Sequence, residues 1–275
     1  MSKRLYGGLD NEFWAAKPLI GMVHLMPLPG SARDAENTLE VVIERAISDA
    51  KSLEAGGADA IMIENFFDAP FVKEDSPPHA IASITRAVLA VKNVVNLPLG
   101  VNVLRNDSFS AIAIAHVCGA QFVRVNVWVG AAVTDQGVIE GAARKAILYR
   151  RELGADVAIF ADIFVKHATQ LASGSLEDAA KDAVLRGLAD GLIVSGTTTG
   201  ASTPVDDVRR VKQALPDCPV LVGSGFNTQS ASELLQFADG AIVGTSLKPG
   251  ADVSAPVNSE LVRALKYAMT STACS

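Results

Sequence analysis

Short apolar runs rich in valine and isoleucine recur along the chain, and stretches with helical spacing fill the intervals between them. The apolar runs predict eight strands, at residues 19–26, 58–65, 99–105, 122–128, 157–165, 191–195, 220–224 and 241–245. The intervening stretches predict eight helices, at residues 38–55, 78–95, 108–118, 140–153, 175–188, 204–215, 228–237 and 259–269. Strand and helix therefore alternate without a change of rhythm.

This alternation predicts an α/β fold, a single (β/α)8 TIM barrel. An open doubly wound sheet usually has fewer strands or an appended domain, so the closed barrel is the better interpretation. We expect one domain over residues 1–275, with an N-terminal extension at 1–17, the barrel at 18–270 and a tail at 271–275. No low-complexity stretch or block of charge divides the sequence.

Composition narrows the possible partners. Of the 275 residues 49% are hydrophobic, which is enough for a large core. The net charge is -6 and the 24 Lys and Arg residues are scattered, so we expect no nucleic-acid partner. Every apolar run is interrupted before 18 residues, so we expect no transmembrane span. Cys118, Cys218 and Cys274 lack C-x-x-C spacing, which favours a reducing, cytoplasmic location. The oligomeric state stays open, a homo-oligomer included.

Two glycine-rich segments close the last two predicted strands, Val222-Gly223-Ser224-Gly225 and Val243-Gly244-Thr245-Ser246-Leu247-Lys248. Glycine lets a backbone approach an anion closely, and consecutive amides then point at its oxygens. TIM barrels commonly bind phosphate at this place. The residues expected to hold the phosphate of a phosphorylated small molecule are Gly223, Ser224, Gly225, Gly244, Thr245, Ser246 and Lys248. The alternative is that the glycines only make tight turns.

Polar side chains also occur where predicted strands end. In a TIM barrel the loops after these ends build the active site. Period-two alternation puts one set of residues on the inner face, where the mouth supplies water or ligand to groups that are costly to bury unpaired. This set is Met22, His24 and Met26 on the first strand, Met62 and Glu64 on the second, Asn102 on the third, Arg124 and Asn126 on the fourth, and Asp162 on the fifth.

Glu64 and Asp162 are the candidates for acid–base catalysis, because carboxylates at a partly desolvated mouth transfer protons near neutral pH. The alternative is an ion pair with Arg124, and a glycosidase-like carboxylate pair is also open. Lys166 follows the fifth strand, where it either holds an anionic group, forms a Schiff base or is an ordinary loop lysine.

His24 is either a proton carrier, a metal ligand or a hydrogen-bonded core residue. No H-x-H, H-E-x-x-H or C-x-x-C motif is present, so a divalent metal would need His24, Glu64 and Asp162 to assemble in space. No cofactor is therefore certain from the sequence.

Further polar residues are expected to contact the substrate. Asn102 and Arg124 are predicted to bind it, and Asn126 to stabilise developing negative charge during catalysis. Ser195 and Thr197 belong to a hydroxyl-rich turn that reaches the substrate or covers it as a lid. The alternative for this turn is an ordinary polar loop.

Many short segments occur in an order known from one family. They are Val23-His24-Leu25, Pro27-Leu28-Pro29-Gly30, Glu64-Asn65-Phe66, Asp68-Ala69-Pro70-Phe71, Gly100-Val101-Asn102-Val103-Leu104, Arg124-Val125-Asn126, Asp135-Gln136-Gly137, Glu140-Gly141, Ala161-Asp162, Val165-Lys166-His167, Ser195-Gly196, Thr199-Gly200, Asp239-Gly240 and the two glycine-rich segments above. With them the chain resembles the BtpA family, also called the SgcQ family, nearly end to end. One departure is Phe67, which stands where the family's E-N-F-G-D loop has glycine.

The resemblance implies a TIM barrel. The family is named for a factor needed for photosystem I biogenesis, whereas relatives in non-photosynthetic organisms imply a metabolic enzyme. From the glycine-rich segments and the polar strand ends, we predict a cytoplasmic enzyme acting on a sugar phosphate or a nucleotide-derived metabolite, by isomerase, carbon–carbon lyase or glycosyl-bond chemistry in that order. The alternatives are a non-catalytic photosystem I biogenesis or assembly factor and a metal-assisted hydrolase.

Overall fold

The computed structural model describes residues 6–34, 37–172, 174–196 and 201–271. Its strands are β1 (Leu19–His24), β2 (Ala60–Glu64), β3 (Leu99–Asn102), β4 (Phe122–Val125), β5 (Ala131–Thr134), β6 (Gly137–Glu140), β7 (Ala158–Ile163), β8 (Ala168–Gln170), β9 (Gly191–Val194), β10 (Val220–Val222) and β11 (Gly240–Val243). Eight of these strands close into a parallel barrel in the order β1-β11-β10-β9-β7-β4-β3-β2. The predicted TIM barrel is confirmed.

One helix precedes the first barrel strand, and a helix follows each barrel strand in turn. They are α1 (Asn11–Ala15), α2 (Leu39–Gly56), α3 (Pro78–Lys92), α4 (Ser108–Cys118), α5 (Ala143–Glu152), α6 (Leu176–Lys181), α7 (Val205–Ala214), α8 (Ala231–Leu234) and α9 (Ser259–Ser271). The predicted barrel strands end one to three residues too late, because the apolar pattern continues into buried loop residues such as Val103 and Trp128. None of the helices in the described ranges is both long and apolar enough to cross a membrane.

Alternate residues along the strands pack into two layers of the core, one inside the barrel and one between the strands and the helices. The barrel interior is filled by Ile20, Met22, Met62, Phe122, Phe160, Ile193, Leu221 and Ile242. The period-two prediction is wrong for Met26, which lies beyond β1 and packs against the outer cluster between strands and helices. Gly100 leaves space for the Phe122 ring in the barrel interior, because a Cβ built at Gly100 would lie 2.0 Å from that ring.

An N-terminal segment covers the bottom of the barrel. Tyr6, Leu9, Phe13 and Trp14 pack against the interior cluster, and the Trp14 ring meets Phe160 edge to face at 5.6 Å. The sequence pattern did not predict α1, because it is only five residues long. The opposite end of the barrel, at the carboxyl ends of the strands, is where polar side chains gather.

A small antiparallel sheet of β6, β5 and β8 lies beside the barrel. It was not predicted, and the prediction of a helix over 140–153 is wrong at its start, since Glu140 belongs to β6 and α5 begins at Ala143. Val127, Ala132, Ile139 and Val165 form an apolar cluster beneath this sheet. The sheet thereby fixes the loop that follows β7.

Candidate active site

Polar side chains from five adjacent barrel strands meet at the mouth. His24, Glu64 and Asn102 end β1, β2 and β3, while Arg124 lies in β4 and Asp162 in β7. All five side chains are buried. In each case the residue two positions earlier on the same strand lies on the inner face of the barrel. Alternation along the strand therefore places the polar side chain on that inner face as well.

Asp162 makes the ion pair with Arg124 that the sequence left open. Its two oxygens accept from Nη2 and Nε of Arg124 at 2.8 and 2.9 Å, and Asn126 Nδ2 donates to Oδ2 at 2.7 Å. Burial lowers the pKa of the Arg124 guanidinium, but the charge and hydrogen bonds of Asp162 outweigh it, so that pKa lies above its ordinary value. Asp162 therefore positions Arg124 and Asn126.

Glu64 keeps one oxygen available. Asn102 Nδ2 donates to Oε2 from the neighbouring strand at 2.5 Å, whereas Oε1 has no hydrogen-bond donor in the described part of the chain. The side chain lines two adjoining cavities at the mouth. This arrangement orients the carboxylate and leaves it free to exchange a proton with a ligand.

Lys166 lines the same two cavities as Glu64. It lies in a sharp loop between β7 and β8, where Phe164 and His167 have left-handed backbone (φ 52° and 57°). Burial, followed by the charge of Arg124, lowers the pKa of the Lys166 ammonium to about 8. Its Nζ forms no ion pair or hydrogen bond with other described residues. Lys166 is thus a desolvated amine facing a ligand space.

The first cavity, here called the glycine-loop chamber, has a volume of about 220 Å³ and is lined by residues 223–227 and 244–246. The backbone amides of Gly225, Phe226, Thr245 and Ser246 have no acceptor among the described residues. These four donors are available to an anion in the chamber. Ser224 also lines the chamber.

Other groups of the two loops are already used by the protein. The Gly223 amide donates to the Val194 carbonyl at 2.8 Å, and the Ser246 hydroxyl donates to the Phe226 carbonyl at 2.7 Å. Gly223 is required for space, since a Cβ there lies 2.5 Å from Ser195 Oγ. Only part of the predicted phosphate set can therefore donate to a ligand.

Lys248 does not line the chamber, contrary to the prediction that it holds phosphate. The side chain is 2% exposed, and its Nζ donates to the Val253 carbonyl at 2.6 Å and lies 3.3 Å from His24 Nδ1. Burial lowers its pKa to about 8, so it is still mainly an ammonium donor at neutral pH. The turns after residue 248 bring Val253 into reach and so draw Lys248 away from the mouth.

His24 is held by this lysine and by Phe66, whose ring centroid lies 4.6 Å away. Burial, and then the charges of Lys248, Lys166 and Arg124, place its pKa well below the ordinary value, so the ring is neutral. Because Nδ1 accepts from Lys248, the ring proton resides on Nε2. A Cβ on Gly244 would lie 3.2 Å from Nε2, which places this donor at the glycine-loop chamber.

Ser195 and Thr197 were both predicted to contact the substrate, and the structure describes only Ser195. Ser195 Oγ is buried beside Gly223 and has no hydrogen-bond partner among the described residues, but it does not line either cavity. Thr197 lies outside the described residues, so its predicted role is not placed. Within residues 6–34, 37–172, 174–196 and 201–271, no three His, Cys, Asp or Glu side chains group as metal ligands, including His24, Glu64 and Asp162.

The second cavity, here called the arginine chamber, has a volume of about 170 Å³. It shares Glu64, Phe66, Arg124 and Lys166 with the glycine-loop chamber. Arg105 lines the arginine chamber but not the glycine-loop chamber. The sequence did not indicate Arg105 as a site residue because residues 99–105 were predicted as one strand. The polar run after Leu104 was the available signal that the strand had ended.

Comparison with known proteins confirms the family resemblance. The model of the BtpA family matches residues 15–271. The photosystem I biogenesis protein BtpA of Synechocystis is 47% identical over 261 residues, covering 95% of this chain and 91% of that protein. An uncharacterized Pyrococcus furiosus protein, PF0860, is 48% identical over 256 residues, covering 93% and 95%.

Solved structures share the fold at low sequence identity. Tryptophan synthase from M. tuberculosis matches with a TM-score of 0.60 and 18% identity, covering 98% of this chain and 99% of that one. Thiamine phosphate pyrophosphorylase from Pyrococcus furiosus matches with a TM-score of 0.57 and 13% identity, covering 94% and 98%. Both similarities support the barrel architecture.

Proposed function

This chain belongs to the BtpA family, and we propose that it is a TIM-barrel enzyme acting on a phosphorylated small molecule. The substrate class we propose is a sugar phosphate or a nucleotide-derived metabolite, used in the cytoplasm. The observation that carries the proposal is the glycine-loop chamber, which Glu64 and Lys166 line together with two loops whose amides at Gly225, Phe226, Thr245 and Ser246 have no acceptor among the described residues. The names of tryptophan synthase and thiamine phosphate pyrophosphorylase agree with an enzymatic role for this fold.

The phosphate would be held by neutral donors. Amides of Gly225, Phe226, Thr245 and Ser246 supply N–H groups from two loops, and His24 Nε2–H adds a donor from β1. A phosphate dianion accepts many such bonds, and bonds to a charged acceptor are stronger than neutral ones. Lys166 lines the same chamber and adds positive charge.

The chemistry would take place between Glu64 and Lys166. Glu64 Oε1 removes a proton from a hydroxyl-bearing carbon next to a carbonyl, and the Lys166 ammonium donates a proton to the carbonyl oxygen, which gives an enediol. With a pKa of about 8, Lys166 carries that proton at pH 7. Isomerisation is completed when Glu64 returns its proton to the former carbonyl carbon and the neutral Lys166 amine takes the proton of the original hydroxyl, which becomes the new carbonyl. In a carbon–carbon lyase the enediol forms instead when the bond to the hydroxyl-bearing departing carbon breaks, and that hydroxyl gives its proton to Glu64 as it becomes an aldehyde. We rank glycosyl-bond chemistry third, after isomerisation and carbon–carbon cleavage.

A screen of phosphorylated metabolites by thermal shift tests the proposal. A compound present at a hundred times its Kd stabilises the protein by about 2.7 kcal/mol. We expect ribose 5-phosphate or another sugar phosphate to raise Tm while its unphosphorylated counterpart does not. A screen in which no phosphorylated compound raises Tm more than its counterpart would contradict the proposal.

Gly244→Ala tests the chamber itself. The added Cβ would lie 2.8 Å from His24 Cε1, so the ring must shift and phosphate binding is expected to weaken. Gly174→Ala is the matched control, because a Cβ there meets nothing within 4 Å. Equal binding by both variants would remove the loop after β11 from the site.

We retain one second candidate, a non-catalytic role in photosystem biogenesis. The observation in its favour is the 47% identity to the Synechocystis photosystem I biogenesis protein. A Glu64→Gln, Lys166→Met variant introduced into a Synechocystis strain that lacks its own relative separates the two. Rescue by this variant as complete as by the wild type would favour the non-catalytic role, and failure of the variant alone would favour catalysis.

A further inference from the structure

The arginine chamber adjoins the glycine-loop chamber but has a different lining. Arg33, Arg105, Asn126 and His167 line only the arginine chamber, together with apolar side chains from the loop after β2. Glu64 and Lys166 line both chambers, so the two cavities meet at these side chains. A molecule anchored at one chamber can therefore extend into the other and pass the two groups that we place in proton transfer.

The strand order sets the two chambers on opposite sides of the mouth. Arg105 follows β3, and the first glycine loop follows β10. In the closed order β1-β11-β10-β9-β7-β4-β3-β2, these two strands are four steps apart in either direction. In a ring of eight strands this is the largest separation that the barrel allows.

Arg105 is buried without full pairing. Its side chain is 5% exposed, and its Nη2 donates to the Lys166 carbonyl at 2.6 Å. Within the part of the chain that the structure describes, its buried Nε has no hydrogen-bond partner and its guanidinium forms no ion pair. An unpaired buried donor on a charged group is costly, so a site of this kind is favourable when a ligand supplies the acceptor.

The charges around Arg105 favour an anionic acceptor. Arg124 is neutralised by Asp162, which leaves Arg33, Arg105 and Lys166 as cations lining the chamber and Glu64 as its one lining carboxylate. Asp135 is a further carboxylate whose charge acts on Arg105 from the small sheet. The guanidinium presents a planar set of donors that matches the oxygens of a carboxylate or a phosphate.

We propose that the arginine chamber binds a second anionic group of the same substrate, so that the enzyme acts on molecules with a phosphate at one end and a carboxylate or phosphate at the other. This inference rests on the proposed function, since it takes the glycine-loop chamber as the first anchor. The reacting carbons then lie between the anchors, beside Glu64 and Lys166. Two anchors on opposite sides of the mouth fix the orientation of a substrate that one phosphate leaves free to rotate.

Matched pairs of small probes test this proposal by calorimetry. Glycerol 3-phosphate and 3-phosphoglycerate differ in a carboxylate at the far end, and fructose 6-phosphate and fructose 1,6-bisphosphate differ in a second phosphate. In the wild type we expect the doubly anionic member of at least one pair to bind roughly ten- to a hundredfold more tightly, as one or two charged hydrogen bonds imply. The pair that shows the gain identifies carboxylate or phosphate as the second group.

Arg105→Gln is expected to remove this gain while leaving the affinity for the singly anionic member unchanged. Arg86→Gln is the control, because Arg86 is an exposed arginine on α3 paired with Glu40 outside the mouth. Arg105→Lys retains a charge without the planar fork, and we expect it to keep only part of the gain.

The outcomes separate the two proposals. If both members of each pair bind the wild type equally, the second anchor is wrong and the phosphate site stands. If Arg105→Gln weakens both members equally, Arg105 acts only through the Lys166 loop, which also overturns the second anchor. If no member binds, the proposed function fails with it. The comparison of singly and doubly anionic probes on the wild-type protein tests the second anchor even if Arg105→Gln does not fold.

Discussion

The two ends of the barrel are built from the same strands but serve different purposes. At the N-terminal end, Phe122, Phe160 and Trp14 fill and cover the interior with aromatic rings. At the carboxyl end, two residues further along β4 or β7, Arg124 and Asp162 form a buried ion pair. The difference shows that one period-two pattern can supply both an apolar core and a buried polar cluster, with position along the strand deciding which.

The largest expected effect comes from making the same substitution at both ends. Phe160→Ala leaves a cavity in the closed end and is expected to lower the free energy of unfolding by about 3–5 kcal/mol. Phe66→Ala, in the mouth beside His24, is expected to cost less stability and to weaken ligand binding instead. Denaturant unfolding and calorimetry measure the two effects. Equal stability losses at the two ends would contradict the difference in role between the closed end and the mouth.

Within the mouth, the two carboxylates are expected to respond differently. Glu64→Gln can still accept the Asn102 hydrogen bond but removes the base, so kcat is expected to fall about 10²–10⁴-fold with little change in Tm. Asp162→Asn leaves Arg124 buried without its counter-charge, a loss of up to about 3–5 kcal/mol of stability. Steady-state kinetics and unfolding of both variants distinguish the roles. A stable, inactive Asp162→Asn enzyme would give Asp162 the catalytic role instead.

A smaller effect is expected at Lys248. Lys248→Met removes the donor that keeps the His24 proton on Nε2, and we expect sugar-phosphate affinity to fall about tenfold, the worth of one charge-assisted bond. Nitrogen NMR of the histidine ring reads the tautomer directly. Lys212→Met is the control, since Lys212 also donates to a backbone carbonyl, that of Cys218. An unchanged tautomer in Lys248→Met would contradict the assignment.

The smallest effect is a pH dependence at His24. Its pKa is lowered in the folded state, so below about pH 6.5 the unfolded chain binds a proton that the folded protein does not. Stability from this group is therefore present near pH 7 and is lost as pH falls, by at most about 1.4 kcal/mol per pH unit. His24→Gln is expected to have a flatter stability profile between pH 7 and 5. Parallel profiles would contradict a neutral, buried His24.

The barrel was predictable because its elements depend on local periodicity, and the site was only partly so. Residues such as His24, Glu64 and Arg124 were placed correctly, since alternation along a strand fixes the direction of a side chain. Lys248 was misplaced because its partner, the Val253 carbonyl, is brought near by turns that carry no periodic signal. Arg105 was missed because an apolar run hides the point at which a strand stops pairing.

The small sheet shows the same limit. Thr134 and Gly137 flank a two-residue turn of an antiparallel hairpin, and Gly137 has φ 91°. The strands on either side are four residues long and only partly apolar, so their pattern resembles a polar loop. Tertiary packing over Val127 and Val165, rather than local propensity, makes these residues strands.

The proposed phosphate site consists of the main-chain amides after β10 and β11, above the barrel. A crystal structure with the best-binding sugar phosphate tests it most directly. We expect phosphoryl oxygens within hydrogen-bond distance of the amides of Gly225, Phe226, Thr245 and Ser246, with His24 Nε2 as a further donor. A phosphoryl group bound elsewhere, with these amides turned away from it, would contradict the account.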